Sequence, residues 1–184
     1  MANRSTLYEF DRFEAGLPLQ PRGVTEWNGS IPPSHLILMS GKPRCYQSSI
    51  EKGHKIAVVA DREAGVARFL AFLRALEATE LLGSEFVVDA RGAERFLTTT
   101  EGAGKFFLLE PYEVFLASKK PAEAQCLDLV QKQIPAIAAQ VDELVARPPE
   151  SLFLKAPKWL AEVRKEWNMK LGIGSWGPFD EPTE

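Results

Sequence analysis

The sequence predicts a helix-rich α/β or α+β domain with a small sheet, and three observations carry that reading. Short runs of β-branched, aromatic or small apolar residues stand near 5–10, 55–60 and 105–109, which read as strands. Longer stretches with apolar residues every three or four positions lie between and after them, so helices outnumber strands. The chain of 184 residues is 45% hydrophobic and 26% charged, the composition of one globular domain. At that size folding can bury roughly 70% of the unfolded surface without metals or disulfides. The expected layout is a single globular domain over 1–177 and a loosely ordered tail over 178–184.

In chain order, "STLYEF" from Ser5 to Phe10 suits a pleated surface and opens the sheet. A loop with Gly16, Pro18, Pro21 and Gly23 follows. In "WNGSIPPSHLILMSGKP", Pro32 and Pro33 fix the approach to a short helix and Leu36 to Met39 feed the core. Gly41 provides a left-handed exit before Pro43. "PRCYQSSIEKG" reads as a further short helix ending at Gly53. "KIAVVA" is a buried strand, Asp61 caps the helix after it, and Val66, Phe69, Leu70, Leu73 and Leu76 form that helix's inner face. "EFVVDARGAERFLTTTEGAG" fits a strand in its first half or a helix through Thr98.

"KFFLLEPYEVFLA" gives a strand at 105–109, then a short helix with Pro111 in its first turn. From Pro121 to Arg147, Leu127, Val130, Ile134, Ile137, Val141 and Leu144 form one apolar seam. Pro135 interrupts it and predicts a kink or two abutting helices. "PKWLAEVRKEWNMKLG" is a last helix, so the chain ends in long helices.

The net charge is -3, and residues 61–118 hold ten acidic and six basic side chains. No segment clusters enough Lys and Arg to track a phosphate backbone, which argues against a nucleic-acid partner. The opening "MANRSTLYEFD" lacks the apolar core of a secretory signal, and no run of about 18 apolar residues occurs, so the expected place is the cytoplasm, off the membrane. Cys45 and Cys126 belong to no Cys-x-x-Cys pair and read as two free, buried thiols.

Motifs with catalytic meaning fail on context. "GIGSWG" spells G-x-G-x-x-G but ends a helix instead of following a strand. "TTTEGAGKFF" has Thr99 and Phe106 where a phosphate-binding loop needs glycine and a hydroxyl. The two histidines, His35 and His54, have no ligand set at metal spacing. Ser34 beside His35 makes no triad, because a base must reach the nucleophile and be oriented by a third group. The expectation is therefore no catalytic, cofactor-binding or metal-binding residues and no cofactor. Glu110 and Glu113, like Asp61 and Glu63, fit the exposed N–H groups of a first helical turn. Trp159, Trp167 and Trp176 are large anchors of the type that dominates protein interfaces.

"MANRSTLY", "EWNGSIPPSHLILMSGKPR", "KIAVVADREAGVARFLAFL" and "FLLEPYEVF" resemble the blocks of an uncharacterised family of small bacterial proteins associated with polymorphic or Rhs-type toxin loci. In that family an aromatic residue often stands where this chain has His35, which the resemblance counts against catalysis. The resemblance implies an immunity-like role. The expected function is non-enzymatic: direct binding that neutralises a cognate bacterial toxin, with Asp61, Glu63, Glu110, Glu113, Trp159, Trp167 and Trp176 as partner-binding residues. The alternative is a small-molecule enzyme or sensor with a pocket at the strand C-terminal ends, near Asp61 and Glu110.

Overall fold

The structure, a computed structural model, describes residues 3–14, 16–78, 83–99 and 103–147. In chain order its elements are β1 (Arg4–Phe10), β2 (Phe13–Glu14), β3 (Leu17–Pro18), β4 (Arg22–Asn28), α1 (Pro33–Leu38), β5 (Arg44–Tyr46), β6 (Ala57–Asp61), α2 (Arg62–Glu77), α3 (Gly83–Thr98), β7 (Phe106–Glu110), α4 (Tyr112–Leu116) and α5 (Ala122–Asp128). A π turn over Leu129–Gln133 then leads into α6 (Ile134–Val145). The predicted helix over 157–172 lies outside the described residues.

The three predicted strands form the middle of a five-stranded sheet of order β4-β1-β7-β6-β5. Every neighbouring pair is antiparallel, so the class is α+β. β6 and β7 are apolar on both faces because both faces are covered. On one face Leu7, Val58, Ala60, Phe107 and Leu109 pack against the helices. On the other, Phe10, Ala57, Val59 and Leu108 form a smaller cluster with Tyr8, Phe13, Tyr46 and Phe106. Phe13 closes that cluster from the β2–β3 hairpin, its ring 4.9 Å from Phe10 and 5.0 Å from Tyr46.

Two strands replace expected loop and helix. The loop predicted after β1 contains β4, whose Val24 and Thr25 are buried against β1. The short helix predicted over "PRCYQSSIEKG" is instead β5, with Arg44, Cys45 and Tyr46 paired to Val59, Val58 and Ala57. The ladder that β6 offers outweighs the local helical preference of this segment. The ambiguous stretch resolves as α3, with Phe86, Ala90, Ala93 and Leu97 buried at four- and three-residue spacing.

Around α1, Pro32 and Pro33 start the helix as expected, and Ile37, Leu38 and Met39 are fully buried. The left-handed exit belongs to Lys42, at φ 53°, and not to Gly41. Gly41 is required for space: a Cβ there would overlap the Asp61 carbonyl, whose own N–H donates to Gly41 O at 2.5 Å. Asp61 does occupy the N-cap position of α2, but its side chain makes no cap bond.

The long seam also shifts. Pro135 sits in the first turn of α6, and the π turn before it carries an Ile134 N–H to Leu129 O bond. The extra residue in that turn rotates the preceding helix, so Cys126 and Leu129 face the core where Leu127 and Val130 were expected. Leu127 is 48% exposed. Beyond the turn, Ile134, Ile137, Val141 and Leu144 hold the predicted seam.

Candidate functional site

Three buried polar nodes sit where strands meet helices. Glu9 lies on β1 opposite Phe107 and points, like Leu7, to the helical face. Its carboxylate is fully buried and accepts from Arg22 Nε and Arg62 Nε, both at 2.7 Å. Arg62 extends the node by donating to Leu97 O at 2.7 Å, and its guanidinium lies 5.7 Å from the Phe107 ring centre. Two cations on one buried carboxylate satisfy the charge that burial makes costly.

Glu110 ends β7 and is 1% exposed. It accepts from Ser48 Oγ at 2.9 Å, Ser49 N at 2.7 Å and Ser49 Oγ at 2.8 Å, fastening the turn after β5 to the sheet. Burial raises its carboxyl pKa, and the Ser49 and Ser48 donors only partly oppose that rise. Glu110, expected among the partner-binding residues, is placed inside the fold as an internal fastener.

His35 is held inside α1, with Nδ1 3.4 Å from Ser5 Oγ, while Ser5 Oγ donates to Ser30 O at 2.9 Å. Burial pushes the imidazole pKa down to about 3, so the ring is neutral at physiological pH. The serine at hydrogen-bond distance is thus Ser5, from β1, and among the described residues no third group orients the ring as a catalytic base requires.

The other expected residues do not converge. Asp61 is ion-paired to Lys42 at 3.5 Å and Arg44 at 4.0 Å, and Glu63 is exposed in the first turn of α2. Glu113 accepts from Arg4 N at 3.0 Å and from its guanidinium, and the side-chain bond to Arg4 holds the Glu113 pKa below the usual carboxylate range. Because β6 and β7 run antiparallel, with Asp61 opposite Phe106, Asp61 and Glu110 lie at opposite ends of these two strands. They share no pocket mouth of the kind a parallel sheet creates. Trp159, Trp167 and Trp176 lie outside the described residues.

The outer face of α3 carries a depression of about 530 Å³ lined by Val88, Arg91, Glu94, Arg95 and Thr98. Val88 is 68% exposed there, and Glu94 accepts from Arg74 of α2 at 2.8 Å. Among the described residues, no group of three or more His, Cys, Asp or Glu side chains is placed to hold a metal ion. Among them, too, no helix is long and apolar enough to cross a membrane. Both cysteines are free, Cys126 buried and Cys45 half-buried.

The Glu9 node was legible only in part. A charged residue on the Ser5–Leu7–Glu9 face of an apolar strand signals a buried ion, but its partners Arg22 and Arg62 come from elements that only the fold brings together.

No curated protein and no solved structure matches this chain. Residues 14–150 match a family described as a domain of unknown function, DUF7822. That span covers most of the sheet and all the helices described above, and the chain belongs to this family.

Proposed function

We propose that this chain is a non-enzymatic, immunity-like protein of the cytoplasm that neutralises a cognate bacterial toxin by direct binding. The observation that carries the proposal is the outer face of α3. An apolar residue, Val88, stands exposed beside a depression rimmed by Arg91, Glu94, Arg95 and Thr98. An apolar centre in a charged, arginine-containing rim is the anatomy of a protein interface. The groups best suited to acid–base chemistry point the same way, since Glu9, His35 and Glu110 are each buried in bonds within the fold. Asp61 and Glu63 at the start of α2, and Glu113 at the start of α4, would supply electrostatic steering from the surrounding surface. The resemblance to proteins from toxin loci supplies the class of partner.

Affinity capture of the tagged chain from its native strain tests the reading. The expected result is stoichiometric recovery of one protein, lost in Val88→Asp while the melting temperature stays within about 2 °C, because Val88 is a surface position. Recovery of no partner, or a partner retained undiminished by Val88→Asp, contradicts the proposal.

A further inference from the structure

We infer that Cys45 and Cys126 are a redox-responsive thiol pair whose oxidation closes an intramolecular disulfide between β5 and α5. The two sulfurs lie 3.2 Å apart although 81 positions separate them in the chain. Both are held in place by regular structure. Cys45 is the central residue of β5, paired to Val58 of β6, and Cys126 stands inside α5 with its thiol also 3.4 Å from Ala57 O. A disulfide needs a sulfur separation of about 2.05 Å, so the pair is roughly 1.2 Å from bonding distance, a gap that small side-chain rotations close. The π turn has a direct part in this arrangement, because its extra residue is what brings Cys126 to the inner face of α5.

The surroundings divide the chemistry between the two sulfurs. Cys45 is half-buried on an edge strand and is the more exposed of the two, whereas Cys126 is buried and donates its S–H to Cys45. Burial, with the Cys45 contact, pushes the Cys126 thiol pKa well up, which keeps it protonated until its partner reacts. With hydrogen peroxide as oxidant, the Cys45 sulfur attacks one peroxide oxygen and the O–O bond breaks. Cys45 becomes the sulfenic acid, and the departing hydroxide takes the Cys45 proton as water. The Cys126 sulfur then displaces the sulfenic hydroxyl: the S–S bond forms, the S–O bond breaks, and the Cys126 proton leaves with the hydroxyl as a second water. Two thiols are oxidised and one hydrogen peroxide is reduced to two waters.

The bridge ties the edge strand of the sheet, and with it the Ser48–Ser49 turn on Glu110, to the long helix ending in α6. Closing so long a loop restricts the unfolded chain, so the oxidised form is the more stable one.

The test uses the full chain, reduced, freed of reductant and treated with a small excess of hydrogen peroxide. The expected result is joint loss of both thiols and a single cross-link between the Cys45 and Cys126 peptides in a monomeric product. The melting temperature rises by about 5 °C and dithiothreitol reverses the rise. Cys45→Ser and Cys126→Ala each abolish that rise. Unreacted thiols, sulfinic acid on Cys45 beside an intact Cys126 thiol, or disulfide-linked dimers in place of the internal bridge overturn the inference. Each of these is read on the unaltered chain, so a variant that fails to fold does not rescue it.

Discussion

Single side chains set the stability of this fold through how their charges are buried. Glu9 is fully buried and shared by Arg62, 12% exposed at the side chain, and Arg22, 42% exposed. Removing the deeper cation leaves an undercompensated buried carboxylate, so Arg62→Ala is expected to lower unfolding free energy by about 3 kcal/mol. Arg22→Ala should cost about 1 kcal/mol, because solvent already screens that partner. Urea midpoints of the two variants check the ordering. His35 and Glu110 give opposite pH dependences. His35 falls from an ordinary 6.5 to about 3 on folding, so its neutral form contributes stability above pH 6.5 that is lost as pH falls toward 3. That loss reaches about 2 kcal/mol by pH 5, and His35→Leu should flatten the acid limb of a stability profile. The folded Glu110 carboxyl is raised above its ordinary 4.5, so its contribution is greatest below 4.5 and is lost as pH rises through the folded value. Glu110→Gln is therefore expected to increase stability at pH 7 over the parent, measured by the same urea titration. Sequence read His35 as a helix or loop residue without a catalytic role and Glu110 as a first-turn acid. Its burial comes from Ser48 and Ser49, more than 60 positions away, which no local pattern reveals.

At the scale of elements, two helical glycines separate propensity from packing. Gly65 in α2 lies against α1, where a Cβ would overlap the Leu38 carbonyl, whereas a Cβ on Gly92 in α3 meets nothing within 4 Å. Helix propensity alone favours alanine at both by about 1 kcal/mol. The packing predicts that Gly92→Ala raises stability by that amount and Gly65→Ala lowers it by about 2 kcal/mol, since backbone must shift. Thermal unfolding of the pair distinguishes the two outcomes by sign. The same contrast explains what was legible. β6 and β7 stood out because central strands covered on both faces are apolar over nearly their whole length, and β1 stood out by its β-favouring Thr6, Leu7, Tyr8 and Phe10. The edge strands β4 and β5 did not, being short or broken by glycine and polar residues, and specified chiefly by their neighbours. The break at Pro135 was visible, but its form, a π turn that moves the inner stripe by one residue, was not. That one-residue shift is what separates an expected Leu127 seam from the observed contact between Cys126 and Cys45.

For the whole molecule, an antiparallel sheet carries helices on one face and an aromatic cluster on the other, and the recognition surface proposed above lies on a helix exterior. Asp61 and Glu110 do not share the mouth that a doubly wound sheet provides, because they lie at opposite ends of antiparallel strands. Function was the least legible level. The composition excluded broad classes, and the partner class rests on resemblance, while the α3 face came into view only when its neighbours were in place. Co-expression with a toxin captured by the chain from its native strain, in a host sensitive to that toxin, tests the central proposal most directly. The account predicts that the chain restores growth and that Val88→Asp, folded and equally abundant, does not. A host that dies despite abundant folded protein, or that Val88→Asp protects equally well, contradicts it.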